Sequence, residues 1–419
     1  MSPAPAPKKA VLIIIDGLTP SMLEATDAPA LRFLLENGSY RRAVSTFPSL
    51  TPVCLASIAT GGHGEHHGIP HLVWWNREEE RIVEYGSSFA ALRASGLVQG
   101  VRDTVVNLNE RHLLKDTETV FESLEDAGLT TAAINITTYR GRNRQVSPIP
   151  GFPPVHGPKR FFFYSVYESD RTGAPIAFLN RSLGSIDGYA ASIGRWLVTR
   201  DGFDLLVHYL PDYDYASHAL GPNAAHEALG RADEAIAALF DAAGGPDSFL
   251  ERYAVVLCSD HGQTPISNTA RLDVPGAFVA ASNRAAMLYG DDPRRLALAL
   301  DGEPSVDVAL FLEGGEVVAR RDGVEDPAIL DDYPDGRARA EGALRNPNSG
   351  EVLVSAADSW EFVDLAGRSH LGGGSHGSLA HADSEVPMLT VGLGEPPASI
   401  TAIKGLLLAH FGVAVAAAA

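Results

Sequence analysis

Four short segments carry carboxylates and imidazoles at spacings suited to holding cations. Asp16, with Gly17, follows an apolar, β-branched run at 11–15. Asp214 and His218 stand four apart in Asp-Tyr-Ala-Ser-His, so one helical turn puts both on one face, aimed at a common ion. Asp260-His261-Gly262 closes another apolar run, and His376 lies in Gly-Ser-His-Gly. Together these carboxylates and imidazoles form a hard-to-borderline donor set that suits two zinc ions, with manganese the poorer alternative. Each segment alone also has a plain reading: a turn, a solvated helical pair, a loop. Their common position at predicted strand ends favours ligation.

A nucleophile for such a centre stands in Pro-Ser-Leu-Thr51-Pro52. Pro52 suits a first helical position, and the apolar stretch 53–59 runs to Thr60-Gly61, so Thr51 is a predicted helix N-cap. A hydroxyl there sits at the positive end of the helix dipole, and a coordinated zinc would lower its pKa enough to give an alkoxide. A purely structural cap is the alternative. Substrate contacts are signalled more faintly. Arg140, Arg142 and Arg144 in one loop make a candidate anion clamp or a solvated basic loop. Trp74, Trp75 and the 161–163 Phe run suit stacking or core packing, and Asp212 and Tyr213 lie beside the ligands as candidates to orient them.

These residues need a scaffold that brings strand ends together. Apolar runs at 11–15, 130–136, 203–210, 253–259 and 387–392 read as buried strands, separated in several places by helical patterns at 29–37, 117–127 and 224–242. Gly38 and Gly128 stand where helix stops belong. The alternation predicts an α/β, doubly wound and mostly parallel sheet, which gathers ligands outside the carboxyl ends of its strands. Between 264 and 370 the texture changes to alternating hairpin patterns, 306–313 with 316–321 and 351–354 with 360–364. We therefore expect a core of 8–263 and 371–419 with an inserted α+β subdomain at 264–370. The aromatic 160–167 segment reads equally as a loop capping the site or as an edge strand, and 403–419 as a closing helix with a frayed end.

Composition narrows the partners. The 419-residue chain is 45% hydrophobic with a formal charge of −19, which suits a large core and opposes binding to a nucleic acid polymer or an anionic membrane. Only Cys54 and Cys258 are present, each inside an apolar run, so neither a disulfide framework nor a cysteine zinc site is expected. No stretch approaches the roughly 18 apolar residues of a membrane span, and the N-terminal segment shows no cleavage site, which makes the cytoplasm the default expectation and a small molecule the expected partner.

The ordered set Asp16-Gly17, Thr51 through Thr60-Gly61, His67-Gly68-Ile69, Asp214 with His218, Asp260-His261-Gly262 and Gly374-Ser375-His376-Gly377 resembles the type I phosphodiesterase/nucleotide pyrophosphatase branch of the alkaline phosphatase superfamily. The resemblance implies one zinc held by Asp214, His218 and His376, and another by Asp16, Asp260 and His261 with Thr51. It further implies in-line attack by Thr51 through a phospho-threonine intermediate. Thr46-Phe47-Pro48-Ser49 resembles a nucleophile signature of the animal-type branch, but the family nucleophile precedes its helix-end Thr-Gly by nine residues, and 60 − 51 is nine. Thr46 is therefore expected to be structural. One departure stands out: the family's Asn donor to the phosphoryl oxygen falls on Leu72, leaving His71 or Asn76 as candidate replacements. The expectation is a dizinc phosphodiesterase or pyrophosphatase. A phosphomonoesterase, phosphonate hydrolase or phosphotransfer mutase is the alternative, and a metal-bound protein without turnover the non-enzymatic one.

Overall fold

A computed structural model describes residues 8–169 and 185–414. Its centre is an eight-stranded sheet in the order Ser39–Val44, Glu385–Val391, Tyr253–Cys258, Lys9–Ile15, Leu205–Leu210, Thr131–Ile134, Arg160–Phe163, Tyr167–Glu168. Lys9–Ile15 pairs in parallel with both Leu205–Leu210 and Tyr253–Cys258, in registers that set Ile15 against Leu210 and Ile14 against Cys258. Every residue of the latter two strands is buried, as expected for strands covered by helices on both faces. One face packs on Ile186–Thr199 and His226–Ala243, the other on Thr51–Thr60, Val120–Asp126 and Ile403–His410. The sheet is thus doubly wound and mostly parallel, as the sequence predicts. Glu385–Val391 differs: its apolar run resembles the parallel strands, yet it lies antiparallel to both neighbours. A run apolar on both faces reports burial, not direction.

The aromatic 160–167 segment resolves as edge strands, with Phe161, Phe162 and Phe163 buried in the core. The closing helix is Ile403–His410, and the end of that expected helix, 415–419, lies outside the described residues.

A second sheet of six strands runs Phe278–Ser282, Ala285–Tyr289, Val352–Ala356, Val306–Glu313, Glu316–Arg321, Val324–Glu325. The expected hairpin of Val306–Glu313 with Glu316–Arg321 is present. The second expected hairpin is not. Val352–Ala356 is buried at every position and lies between Ala285–Tyr289 and Val306–Glu313, while Trp360–Phe362 pairs in parallel with Asn268–Ala270. A strand with no solvated face takes a central place with two partners, so its sequence neighbour is displaced. Two guanidiniums join this region to the main sheet. Arg284 pairs with Asp383 at 3.1 Å, both fully buried, and the buried Arg339 donates to the Thr46 carbonyl at 3.0 Å.

Candidate metal centre and its cleft

Three adjacent strands of the main sheet end within reach of one another, and their registers carry the chemistry. Asp16 follows Ile15, Asp260 lies two residues beyond Cys258, and Leu210 leads through Pro211 into the helix Asp212–Leu220. That helix sets Asp214 and His218 on one face, with His218 Nε2 3.3 Å from Asp214 Oδ2. The two loops are held close: a Cβ on Gly17, whose φ is +68°, would come within 2.6 Å of the Gln263 side chain, and one on Gly373 within 1.9 Å of the His218 carbonyl.

The polar atoms converge in two groups, Asp16, Asp260 and His261, and Asp214, His261 and His376. His261 thus stands between the sets expected from the resemblance, its Nε2 3.2 Å from Asp16 Oδ1 and 3.5 Å from Asp260 Oδ2. Its ring stacks on His376 at 3.5 Å between centroids. His218 reaches the second group through Asp214.

Backbone carbonyls fix the imidazole tautomers. His218 Nδ1 faces the Gly374 carbonyl at 2.8 Å, His376 Nδ1 that of Ser49 at 2.8 Å, and His261 Nδ1 that of Gly262 at 3.1 Å. A carbonyl only accepts, so each Nδ1 donates; a charged His218 also donates Nε2–H to Asp214, while a neutral ring, as at His261 and His376, turns its Nε2 lone pair inward. There it meets carboxylate lone pairs. Asp16 Oδ1 and Asp260 Oδ2 are buried and accept no hydrogen bond. Burial, reinforced by Asp214, holds Asp16 well above the usual carboxylate range, and burial with the charge of Asp16 does the same to Asp260. Asp214 is the contrast: burial pushes it up, but His218, His376 and His261 outweigh burial and its pKa is lowered. Burial likewise opposes charge on His218, and Asp214 overcomes it, lifting the pKa to about 9. Orphaned acceptors facing acceptors in a buried cluster are stabilised only by positive charge between them, so the donor set fits divalent cations.

Thr51 opens the helix Thr51–Thr60 rather than capping it; Leu50 is the capping residue and makes no side-chain cap bond. The Thr51 hydroxyl is therefore not consumed by the helix, and Oγ1 lies 3.1 Å from His261 Nε2. Thr46, by contrast, is fully buried with Oγ1 2.9 Å from His63 Nδ1.

Above this floor opens a cleft of about 510 Å³. Its walls include Leu72, Tyr85, Phe89, Phe163, Tyr164 and Tyr215, so the position where the family carries an Asn donor is an apolar wall here. Neither proposed replacement reaches it: His71 Nδ1 accepts from the Val73 N–H at 3.1 Å, and Asn76 Oδ1 accepts from the N–H groups of Glu78 and Glu79 at 3.0 Å. Arg140 and Arg142 lie elsewhere. Arg140 donates to Glu122 and to the carbonyls of Leu113, Leu114 and Thr117, and Arg142 pairs with Glu118, Glu122 and Asp126. Their acidic partners bind them to the fold instead of to a ligand. Trp74 and Trp75 pack against His112 and Phe278, and Asp212 accepts from the first N–H groups of Ile186–Thr199. Tyr213 donates to the Pro222 carbonyl at 3.0 Å.

Three contributors escaped the sequence. Tyr209 donates to Asp16 Oδ2, and Asn283 Nδ2 lies 3.3 Å from His376 Nε2. The His370 ring stacks on His218 at 3.9 Å while its Nδ1 contacts Glu361 Oε1 at 2.6 Å. Asn283 holds a left-handed turn, φ 56°, between two strands. Its turn chemistry was readable, but its reach to the main sheet was not.

A mostly parallel sheet with this constellation at its carboxyl edge is an alkaline phosphatase-like fold. The chain belongs to the type I phosphodiesterase/nucleotide pyrophosphatase family, whose sequence model matches residues 10–379. Among solved structures it is similar to murine ectonucleotide pyrophosphatase/phosphodiesterase 5, with 15% identity, 97% of this chain and 96% of that one covered, and a TM-score of 0.66. An inactive variant of that murine protein is described in complex with AMP. Phosphonoacetate hydrolase from Sinorhizobium meliloti 1021, in complex with phosphonoformate, is similar at 18% identity over 98% of this chain and 97% of that one, TM-score 0.64. At such identities the likeness shows the fold. Among curated proteins none shows significant similarity. No helix among the described residues is long and apolar enough to cross a membrane.

Proposed function

We propose that the chain is a two-metal phosphodiesterase that acts through a covalent phosphate on Thr51. The observation that carries this reading is the inward-facing set of unpaired carboxylate acceptors beside the Thr51 hydroxyl, which the helix does not use and which lies 3.1 Å from His261 Nε2 at the helix N-terminus. Two zinc ions, one held by Asp214, His218 and His376 and the other by Asp16, Asp260, His261 and Thr51, would supply Lewis-acid polarisation of the phosphoryl oxygens and a lowered pKa for the Thr51 hydroxyl. Thr51 Oγ1 attacks phosphorus in line with the departing ester oxygen, so the Oγ1–P bond forms as the ester P–O bond breaks. The positive end of the Thr51–Thr60 helix favours the anionic oxygen. Water then attacks phosphorus from the vacated side, displaces Oγ1 and releases the monoester. The carbonyls of Gly374, Ser49 and Gly262 keep the three imidazoles from rotating throughout. In this reading residues 8–263 and 371–419 form the core, and the inserted 264–370 subdomain supplies Asn283 and His370.

The test combines metal analysis with turnover of bis(4-nitrophenyl) phosphate. The reading expects close to two ions per chain, loss of turnover on chelation and recovery with zinc. Full turnover after chelation, or none in the metal-loaded protein with diesters and pyrophosphates alike, would contradict it.

A further inference from the structure

A second cleft of about 370 Å³ adjoins the first, and the two share Ser87, Ser88, Phe89, Asn283 and His370. Two of the shared residues touch the ligand cluster, Asn283 at His376 and His370 against His218, so the clefts meet at the metal centre itself. Their linings differ in charge. The first has no lysine or arginine on its walls and has Asp16 and Asp214 on its floor. The second has a single cation, Arg368.

Arg368 is exposed, and the carboxylates nearest to it in the lining are already engaged. Asp364 accepts from the Ser88 hydroxyl and from the backbone N–H groups of Ala366 and Arg368, the last two at 2.8 Å. Glu361 accepts from the His370 N–H at 2.6 Å and from the Ser375 hydroxyl at 2.8 Å, and its Oε1 contacts His370 Nδ1. The Arg368 backbone is thus anchored while its guanidinium forms no ion pair with either carboxylate.

We propose that the substrate is an unsymmetrical phosphodiester whose two arms occupy the two clefts, one arm apolar and uncharged, the other ending in a carboxylate or phosphate that Arg368 binds. This rests on the phosphodiesterase reading. Two clefts meeting at one reacting phosphorus suit a phosphate with two organic substituents. The walls of the first cleft are largely apolar and carry no lysine or arginine, so an anionic group at the far end of an arm there would lose hydration with no guanidinium or ammonium to replace it. In the second, the planar fork of a guanidinium matches a carboxylate or phosphate in two parallel hydrogen bonds, and Ser88 and Ser369 add hydroxyls.

The test uses the metal-loaded full chain and two 4-nitrophenyl phosphodiesters, one with an ethyl second arm and one with a 2-carboxyethyl second arm. The wild type is expected to favour the carboxylated diester by about tenfold in kcat/KM, the size of one charge-assisted contact at an exposed site. Arg368→Ala should remove that preference through KM, Arg368→Lys keep part of it, and Arg368→Glu reverse it. Moving the carboxylate onto the aryl arm should lower kcat/KM in all forms. Equal preference in wild type and Arg368→Ala, or a preference that changes only in kcat, would overturn the proposal while turnover of the ethyl diester left the phosphodiesterase reading standing. If the metal-loaded wild type turns over neither diester, both fail together.

Discussion

The floor and the walls of the cleft are built on opposite principles. On the floor the polar side chains are fixed by directional hydrogen bonds: three imidazole Nδ1 atoms on backbone carbonyls, the Gly17 N–H on Asp260 Oδ1 at 3.2 Å, the Tyr209 hydroxyl on Asp16, the Gln263 amide on Asp214 at 2.5 Å. The walls are apolar and aromatic side chains such as Leu72, Phe163 and Tyr164, held by packing. Directional bonds leave few substitutes at a position, whereas packing accepts many side chains of similar volume. On the proposed function, the chemistry falls to a rigid floor and selectivity to walls that tolerate change.

If this contrast is right, removing a floor ligand should have the largest effect. Asp260→Ala should lower turnover by several orders of magnitude and shrink, by the share of one emptied site, the melting-temperature difference between metal-loaded and chelated protein, read by activity and thermal denaturation. Retention of both would mean that the floor does not bind cations.

Next in size is the ion pair beneath the floor. Arg284 donates its backbone N–H to the His376 carbonyl at 2.9 Å, and Asp383, its partner, also accepts from Ser378 and Thr264. Arg284→Met leaves a fully buried carboxylate without its cation, and denaturant unfolding should show a loss of about 3 kcal/mol or more. A loss under 1 kcal/mol would show that the Gly374–Gly377 loop is not supported from the second sheet.

A smaller effect tests the wall. Glu84 caps the 86–87 turn through the N–H groups of Gly86 and Ser87, and burial raises its pKa to about 7 despite those bonds. Between pH 4.5 and 7 the folded chain keeps a proton there that the unfolded chain releases, so stability falls as pH rises through that window. Glu84→Gln, which keeps the acceptor and cannot ionise, should flatten this decline by about 2–3 kcal/mol across the window. An unchanged slope would remove Glu84 from the account.

The smallest effect is expected at Arg142. Arg142→Ala should leave turnover within about twofold and cost under 1 kcal/mol, since its partners Glu118 and Asp126 are exposed and the buried Glu122 keeps its pairing with Arg140. A large loss of affinity for substrate would restore the arginine loop as an anion clamp.

The same contrast explains what the sequence revealed. The convergence of Asp16, Asp214, His218, Asp260, His261 and His376 was legible because carboxylates and imidazoles stood at predicted strand ends, and a parallel sheet fixes where strand ends lie. The walls were not. Phe161 and Phe163 read more readily as core than as platform, and Arg140 and Arg142 as a solvated loop or a clamp, because a sequence does not show that Glu118, Glu122 and Asp126 face them. Asn283 and His370 lie 93 and 6 residues before His376, and only tertiary packing brings them to the cluster. The boundary at Thr51 shifted by one position because Leu50, with extended backbone, takes the capping place.

The central claim is the covalent step at Thr51. Metal-loaded protein mixed with a fast-reacting aryl phosphodiester and quenched in acid within the first turnover should yield, by peptide mass spectrometry, one phosphorylated peptide with its ester on Thr51, and none from Thr51→Ala. Phosphate on Thr46 instead, or a Thr51→Ala protein that turns over the diester at the wild-type rate, would contradict it.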